Sequence, residues 1–169
     1  SGNNAYWLSE KRSMVTRERA EKHGLIEITN LQEFCKTCSI IISCCPPHGA
    51  AAQAEMIADS SFKGLYADVN AVSPEKTRET GKLLQNAGID FVDGGIIGGP
   101  AWKENSTVLY LSGPSAGRIA DCFNNGPLVT EVIGTDIGKA SALKMCYAAN
   151  TKGSTALLCA VLAAADKLG

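Results

Sequence analysis

The stretch Ser39-Ile-Ile-Ile-Ser-Cys44 restricts the possible folds more than any other part of the chain. A short, continuous apolar run stopped by Pro46-Pro47 reads as a strand buried on both faces of a parallel sheet. Parallel strands need crossover connections, and helical segments flank the run on both sides. Met14 to His23 reads as a helix stopped by Gly24, Leu31 to Lys36 as a short helix opened by Asn30, and Ala50 to Ala58 as a third. Between and beyond them, Ala5–Leu8, Leu25–Ile28, Gly64–Val69, Phe91–Asp93, Thr107–Ser112 and Glu131–Ile133 read as strands. A helix opens at Ser73-Pro74 and ends near Gly88, with serine as cap and proline at its first position. Pro114 to Phe123 is also helical. This alternation predicts an α/β fold with a mostly parallel sheet. Its functional loops then follow the C-terminal ends of strands: 9–13, 44–48, 69–73 and the glycine-rich loop Gly94 to Pro100.

The last third, Gly138 to Gly169, lacks proline and is rich in Ala, Leu, Lys and Met. Thr135 or Asp136 can cap its start and Gly169 its end. Such a helix runs roughly 45 Å, long enough to carry the chain from one domain into another. Its surface is mostly apolar, so most of it is expected to be buried. Ser141, Lys144, Ala148, Thr151 and Thr155 recur at steps of three and four and share one face. Lys144 among small and hydroxyl residues reads in two ways: a lysine snorkelling to water, or a functional amine.

Composition excludes some classes. A net charge of −1 gives no field for nucleic acid or an anionic membrane. The longest apolar run, Ala156 to Ala165, is too short to span a bilayer. Seven cysteines in a chain of 169 residues read as reduced thiols rather than a disulfide framework. With no visible signal peptide, the expectation is a cytoplasmic protein. The pair Cys35-Lys-Thr-Cys38 was weighed as a zinc or redox motif with Cys44, Cys45 and His48. A strand between Cys38 and Cys44 holds them about 20 Å apart, which favours structural thiols and no metal.

Three segments, in order, resemble the 6-phosphogluconate and 3-hydroxyisobutyrate dehydrogenase superfamily. Asp68-Val-Asn-Ala-Val-Ser-Pro74 is similar to its D-x-S-T-x-S-P segment beside the nicotinamide. Phe91-Val-Asp-Gly-Gly-Ile-Ile-Gly-Gly99 is similar to its D-A-P-V-S-G-G substrate loop. Gly138-Lys-Ala-Ser-Ala-Leu-Lys144 is similar to the helix that presents its catalytic lysine. The resemblance extends from about Ala5 to Gly169 and implies a partial NAD(P)-binding Rossmann-like domain over 1–135. Residues 136–169 then form the long helix that begins a C-terminal helical domain. It implies hydride transfer between a nicotinamide and a hydroxy- or keto-acid-like substrate, with Lys144 as acid/base. The lysine works near neutral pH only if burial and the cofactor's positive ring lower its pKa. Substrate then sits at Ile97, Gly98 and Gly99.

For the cofactor, the resemblance implies Arg12, Ser13, Cys45, Pro46 and Asn70. Arg12 read alone is as well a solvated surface residue; in the family context it favours the 2′-phosphate of NADP, while Glu10 keeps NAD open. The complete protein is expected to be a homodimer.

Some positions depart from the pattern. Asn70 and Ala71 replace a Ser/Thr pair, Ile97 replaces the loop serine, and Ala148 stands where an asparagine is usual. No G-x-G-x-x-G occurs, so the first strand and its phosphate loop are missing. Two interior strands are then left with an open edge. The chain therefore reads as the middle of a larger reductase, or alternatively as a truncated, non-catalytic relative that binds a partner.

Overall fold

A computed structural model describes residues 2–169; Ser1, at the head of the polar start, lies outside them. The elements are β1 (Tyr6–Leu8), α1 (Met14–Lys22), β2 (Ile26–Ile28), α2 (Leu31–Thr37), β3 (Ile40–Ser43), a 3-10 turn at Pro47–Gly49 that leads into α3 (Ala50–Ala58), and β4 (Leu65–Asp68). They continue with α4 (Pro74–Asn86), β5 (Asp90–Gly98), β6 (Thr107–Ser112), α5 (Ala116–Asp121), β7 (Val129–Val132) and α6 (Lys139–Leu168). Three helices start where their capping residues predict. Ser13 Oγ accepts from Thr16 N–H, Asn30 Oδ1 from Glu33 N–H and Ser73 Oγ from Lys76 N–H.

The strands form two sheets. β1 and β2 pair in parallel, and the larger sheet runs β3-β4-β5-β6-β7, parallel except where β6 returns antiparallel to β5. Two apolar layers cover the larger sheet. Cys35, Ile41, Ala54, Ile57, Tyr66, Leu84 and Phe91 pack beneath α2, α3 and α4. Leu65, Ala67, Val92, Leu109 and Leu111 pack with Ala116 and Ile119 of α5 on the opposite face.

Between β1 and β3 the sheet is interrupted. A cavity of about 590 Å³ lies between Asn3–Tyr6 and Ser39–Ile42. A second, of about 300 Å³, lies between Tyr6–Leu8 and Ile41–Cys45. The N-terminal parts of both strands line the first cavity and their C-terminal parts line the second, so β1 and β3 point the same way across the gap. β1 and β3 are thus unpaired with each other, each with one edge open to the gap.

Four sequence expectations are corrected here. Gly94 to Gly98 is not a loop: it prolongs β5, pairing residue by residue with β6 from Gly94↔Leu111 to Gly98↔Thr107. Ser39–Cys44 is not buried on both faces, because Ile42 is 38% exposed. Helices cover the Ile41 side of β3, and both Ile41 and Ile42 line the cavities along the gap. The long helix is largely bare, with only Ala140 and Ser141 buried and Leu157, Leu158, Val161 and Leu162 exposed. Its apolar surface has nothing to pack against beyond the first turns. Finally, neither Thr135 nor Asp136 caps it; Asp136 instead pairs with Lys139 at 2.8 Å.

Candidate functional site

The C-terminal ends of β3 and β4 lie beside the middle of β5. Ser43, Asp68 and Asp93 stand in one register row across the three strands. The residues that follow this row form the two halves of the candidate site.

On the β5 side the site is built around α6. Asp93 is fully buried and its carboxylate receives the start of the helix. Oδ2 accepts from Gly138 N–H at 2.9 Å, from Ser141 N–H at 3.1 Å and from Ser112 Oγ at 3.0 Å. Oδ1 accepts from the Ser141 hydroxyl at 2.6 Å. Ser112 Oγ in turn accepts from Ala140 N–H at 3.1 Å, and Thr77 and Ser141 hydroxyls lie 2.7 Å apart. Two residues on along β5, a Cβ on Gly95 would stand 2.8 Å from Ala140 O and 3.1 Å from Lys144 Cβ. Glycine at 95 is what lets the helix backbone lie this close to the strand. Lys144 follows on the next turn of α6, half-buried, and its ammonium donates to the Ile96 carbonyl.

The residues expected to hold substrate lie just beyond. Ile97 is half-buried and Gly98 and Gly99 are exposed. Gly98 has φ +123°, and a Cβ there would meet Ser106 O at 2.4 Å, so the hairpin itself requires glycine. Because 94–98 belong to the ladder with β6, the free glycine backbone expected to cradle a carboxylate is confined to the residues that follow.

On the β3–β4 side, Asn70 is only 4% exposed and its side chain is fully engaged. Its Oδ1 accepts from Cys45 N–H at 2.6 Å and its Nδ2 donates to Ser43 Oγ at 3.0 Å. It therefore fixes the turn at Cys45 to β4, with its own N–H on Asp68 Oδ1 at 2.9 Å. Cys45 is half-buried and Pro46 exposed. Arg12 is exposed after β1 and lines the same cleft as Cys44 and Cys45. Among the described residues it makes no ion pair, whereas Glu10 lies 3.8 Å from Lys11. Ser13 is occupied as the cap of α1.

Sequence reasoning gave no role to Asp93, although it stands in the quoted Phe91-Val-Asp-Gly-Gly segment, nor to Asp68 and Tyr66. The signal available was their acidic or hydroxyl character inside apolar strands, which demands partners. Asp68 Oδ2 and Tyr66 Oη are both buried without one. Burial pushes the Asp68 carboxyl above the ordinary range, and the neighbouring Asp93 charge adds to this. Burial likewise drives the Tyr66 hydroxyl up to about 12. Tyr66 and Trp7, whose Nε1 is also without a partner, line the cleft with Arg12. An exposed guanidinium without an ion pair at the rim of this cleft fits an anionic ligand such as a nucleotide. Cys35, by contrast, is a packed thiol donating to Ser60 Oγ at 3.4 Å. No described helix is long and apolar enough to cross a membrane.

Comparison with known proteins agrees with this fold. An uncharacterized 28.5 kDa protein from the 7S RNA 5′ region of Methanothermus fervidus is 34% identical over 158 residues, covering 94% of this chain and 60% of that protein. A conserved protein of unknown function, described as structurally similar to 3-hydroxyacid dehydrogenases, matches with a TM-score of 0.81 at 34% identity, over 99% of this chain and 63% of the other. The fold also matches the Aspergillus terreus reductive aminase bound to NADPH and ethyl levulinate (TM-score 0.73, 17% identity, 86% and 52% covered). It matches a Myxococcus stipitatus imine reductase variant bound to NAD+ in the same way (TM-score 0.73, 22% identity, 89% and 54% covered). The chain thus spans between 52% and 63% of the length of these proteins. Residues 4–125 match the family model of the NAD-binding domain of 6-phosphogluconate dehydrogenase, and the chain belongs to that family of Rossmann-like, nicotinamide-cofactor-binding domains.

Proposed function

We propose that this chain is the cofactor- and lysine-bearing part of an NADP-dependent oxidoreductase of the β-hydroxyacid dehydrogenase type. The observation that carries the reading is the placement of Lys144: half-buried, one turn past a helix start locked to β5, with its amine on Ile96 O beside Ile97. A nicotinamide cofactor supplies the hydride acceptor or donor for such a reaction. Arg12 would hold an anionic group of the nucleotide. Cys45 and Pro46, held in place by Asn70, would line its path toward β5. As the neutral amine, Lys144 Nζ takes the proton of a substrate hydroxyl as the carbon loses hydride, and as the ammonium it returns that proton in the reverse direction. The Ile96 carbonyl keeps the amine at the strand end, and residues 97–99 border the substrate.

The free guanidinium of Arg12 supports NADP over NAD. A hydroxy- or keto-acid-like substrate, a cytoplasmic location and a homodimer through the bare length of α6 belong to the same proposal. In a longer reductase carrying this segment, Lys144→Met should lower turnover by at least about two orders of magnitude while sparing cofactor binding. Near-normal turnover in that variant would sink the assignment.

The gap between β1 and β3 favours a second reading, a non-catalytic relative that binds a partner or part of a nucleotide. The pyrophosphate of a dinucleotide normally rests on a glycine loop at a helix start, and this chain has none. Titration of the folded chain with NADPH and NADH tests what this chain does by itself. Tight, NADPH-selective binding supports the reductase reading, and a folded chain that binds neither leaves the catalytic reading to a longer protein that carries this segment.

A further inference from the structure

We propose that Asp93 is the positioning residue for Lys144: its buried carboxylate fixes where α6 starts along β5, and so where the lysine's amine stands. The functional meaning of this rests on the reading of Lys144 given above; the geometry does not.

A carboxylate with no exposed surface is costly to bury unless its oxygens are satisfied. None of the described ion pairs involves Asp93. Its compensation comes instead from four donors: Gly138 N–H, Ser141 N–H, the Ser141 hydroxyl and the Ser112 hydroxyl. Three of the four belong to the first turn of α6, where the helix dipole is positive and backbone donors are otherwise unused.

A cheaper cap was at hand. Thr135 and Asp136 precede the helix, and either could have served from its own chain segment, yet the helix has no side-chain cap of its own. The two solutions do different work. A local cap decides where a helix begins; a cap lent by a strand decides where it begins relative to the sheet. Ser112 reinforces the second, since it bridges Asp93 on β5 to Ala140 N–H on α6 from the neighbouring strand β6.

β5 then acts as a ruler. Asp93 and Gly95 lie on the same face of the strand, as alternate residues do. Asp93 holds Gly138 and Ser141, Gly95 gives clearance to Ala140 and to the Cβ of Lys144, and Ile96 O receives the ammonium. A helix slid by one residue would lose all three matches together.

The test uses the 169-residue chain and reads Lys144 itself rather than any turnover. Lysines are reductively methylated with 13C-formaldehyde under native conditions, and the rate at Lys144 is divided by that at Lys152 and Lys167, exposed on the same helix. The Lys144 resonance is assigned with Lys144→Arg. In Asp93→Ala the four donors lose their acceptor and the anchor fails. The ratio should rise about tenfold, the scale of one charge-assisted hydrogen bond, and the Lys144 resonance should move towards those of the exposed lysines. Ser141→Ala, a milder change that keeps the fold, should raise the ratio severalfold. Ile119→Val, which loosens the core beneath α5, serves as the stability control and should leave the ratio unchanged.

An unchanged ratio in folded Asp93→Ala or in Ser141→Ala overturns the proposal. So does an equal rise in Ile119→Val, which would make Lys144 merely a reporter of global stability. Absence of turnover with every substrate tried bears on the proton-transfer reading alone.

Discussion

The two sheets are built from the same kind of sequence and end up very differently buried. β1 and β2 pair in parallel through a helical crossover, as β3 and β4 do. Yet every residue of β4 is buried, whereas β1 is only half-buried throughout and β2 buries Ile28 alone. Strand propensity does not separate Tyr-Trp-Leu from Leu-Tyr-Ala-Asp. Neighbours do: β4 has a strand on each side and helices on both faces, while β1 has a strand on one side and the gap on the other. Burial in a parallel sheet is a property of position in the strand order, not of the strand.

The largest expected effect follows directly. Leu65→Ala, at a side chain with no exposed surface in β4, should destabilise the chain by about 2–5 kcal/mol in urea unfolding. Ile28→Ala should leave that transition much less affected and act locally. Hydrogen exchange gives the readout: amides of β1 and β2 exchange through local opening, those of β4 and β5 only with global unfolding. Equal protection in both sheets would erase the comparison and show one cooperative unit.

A second prediction concerns charge at the buried end of β4. Asp68 has one oxygen on Asn70 N–H and one without a partner, and burial raises its carboxyl above the ordinary value. The native chain therefore keeps this proton where the unfolded chain has released it. Stability contributed by Asp68 falls as pH rises from about 4, the ordinary carboxylate value, up to its raised native value. Asp136 and Glu27, lowered by Lys139 and mainly by Ser9 respectively, tilt the other way but stand in solvent. Asp68→Asn should remove the falling component, so that the difference between variant and parent grows with pH across that window. A difference independent of pH would mean that Asp68 is ionised in both states.

How much of this was legible beforehand depends on whether a feature was local. The caps at Asn30 and Ser73 needed only their own following turn, and they were readable. The cap of α6 was not. Thr135 and Asp136 satisfy every local rule, but the acceptor is Asp93, which is 45 residues from Gly138. The glycines of β5 misled for a related reason. Glycine pairs signal loops when nothing approaches them, and Gly95 is instead the clearance for a helix far along the chain. The bare α6 shows the same limit from the other side, since an apolar helix predicts burial but not by what.

The smallest effect sharpens the comparison most. Trp7 Nε1 is buried without a partner at the edge of the gap, and Arg17 stacks over the ring at 6.0 Å. Trp7→Phe removes a donor that bonds nothing and keeps most of the ring. In the 169-residue chain it should therefore cost less than about 1 kcal/mol, chiefly from the weaker cation–π contact. The same substitution in an assembly whose gap is filled by a strand should cost more, because a backbone carbonyl would then meet the indole N–H. Measuring Trp7→Phe in both settings turns the gap into a number. A larger cost in the filled form shows that β1 becomes an interior strand like β4. An equal cost means that the two sheets keep their separate characters even when the space between them is closed.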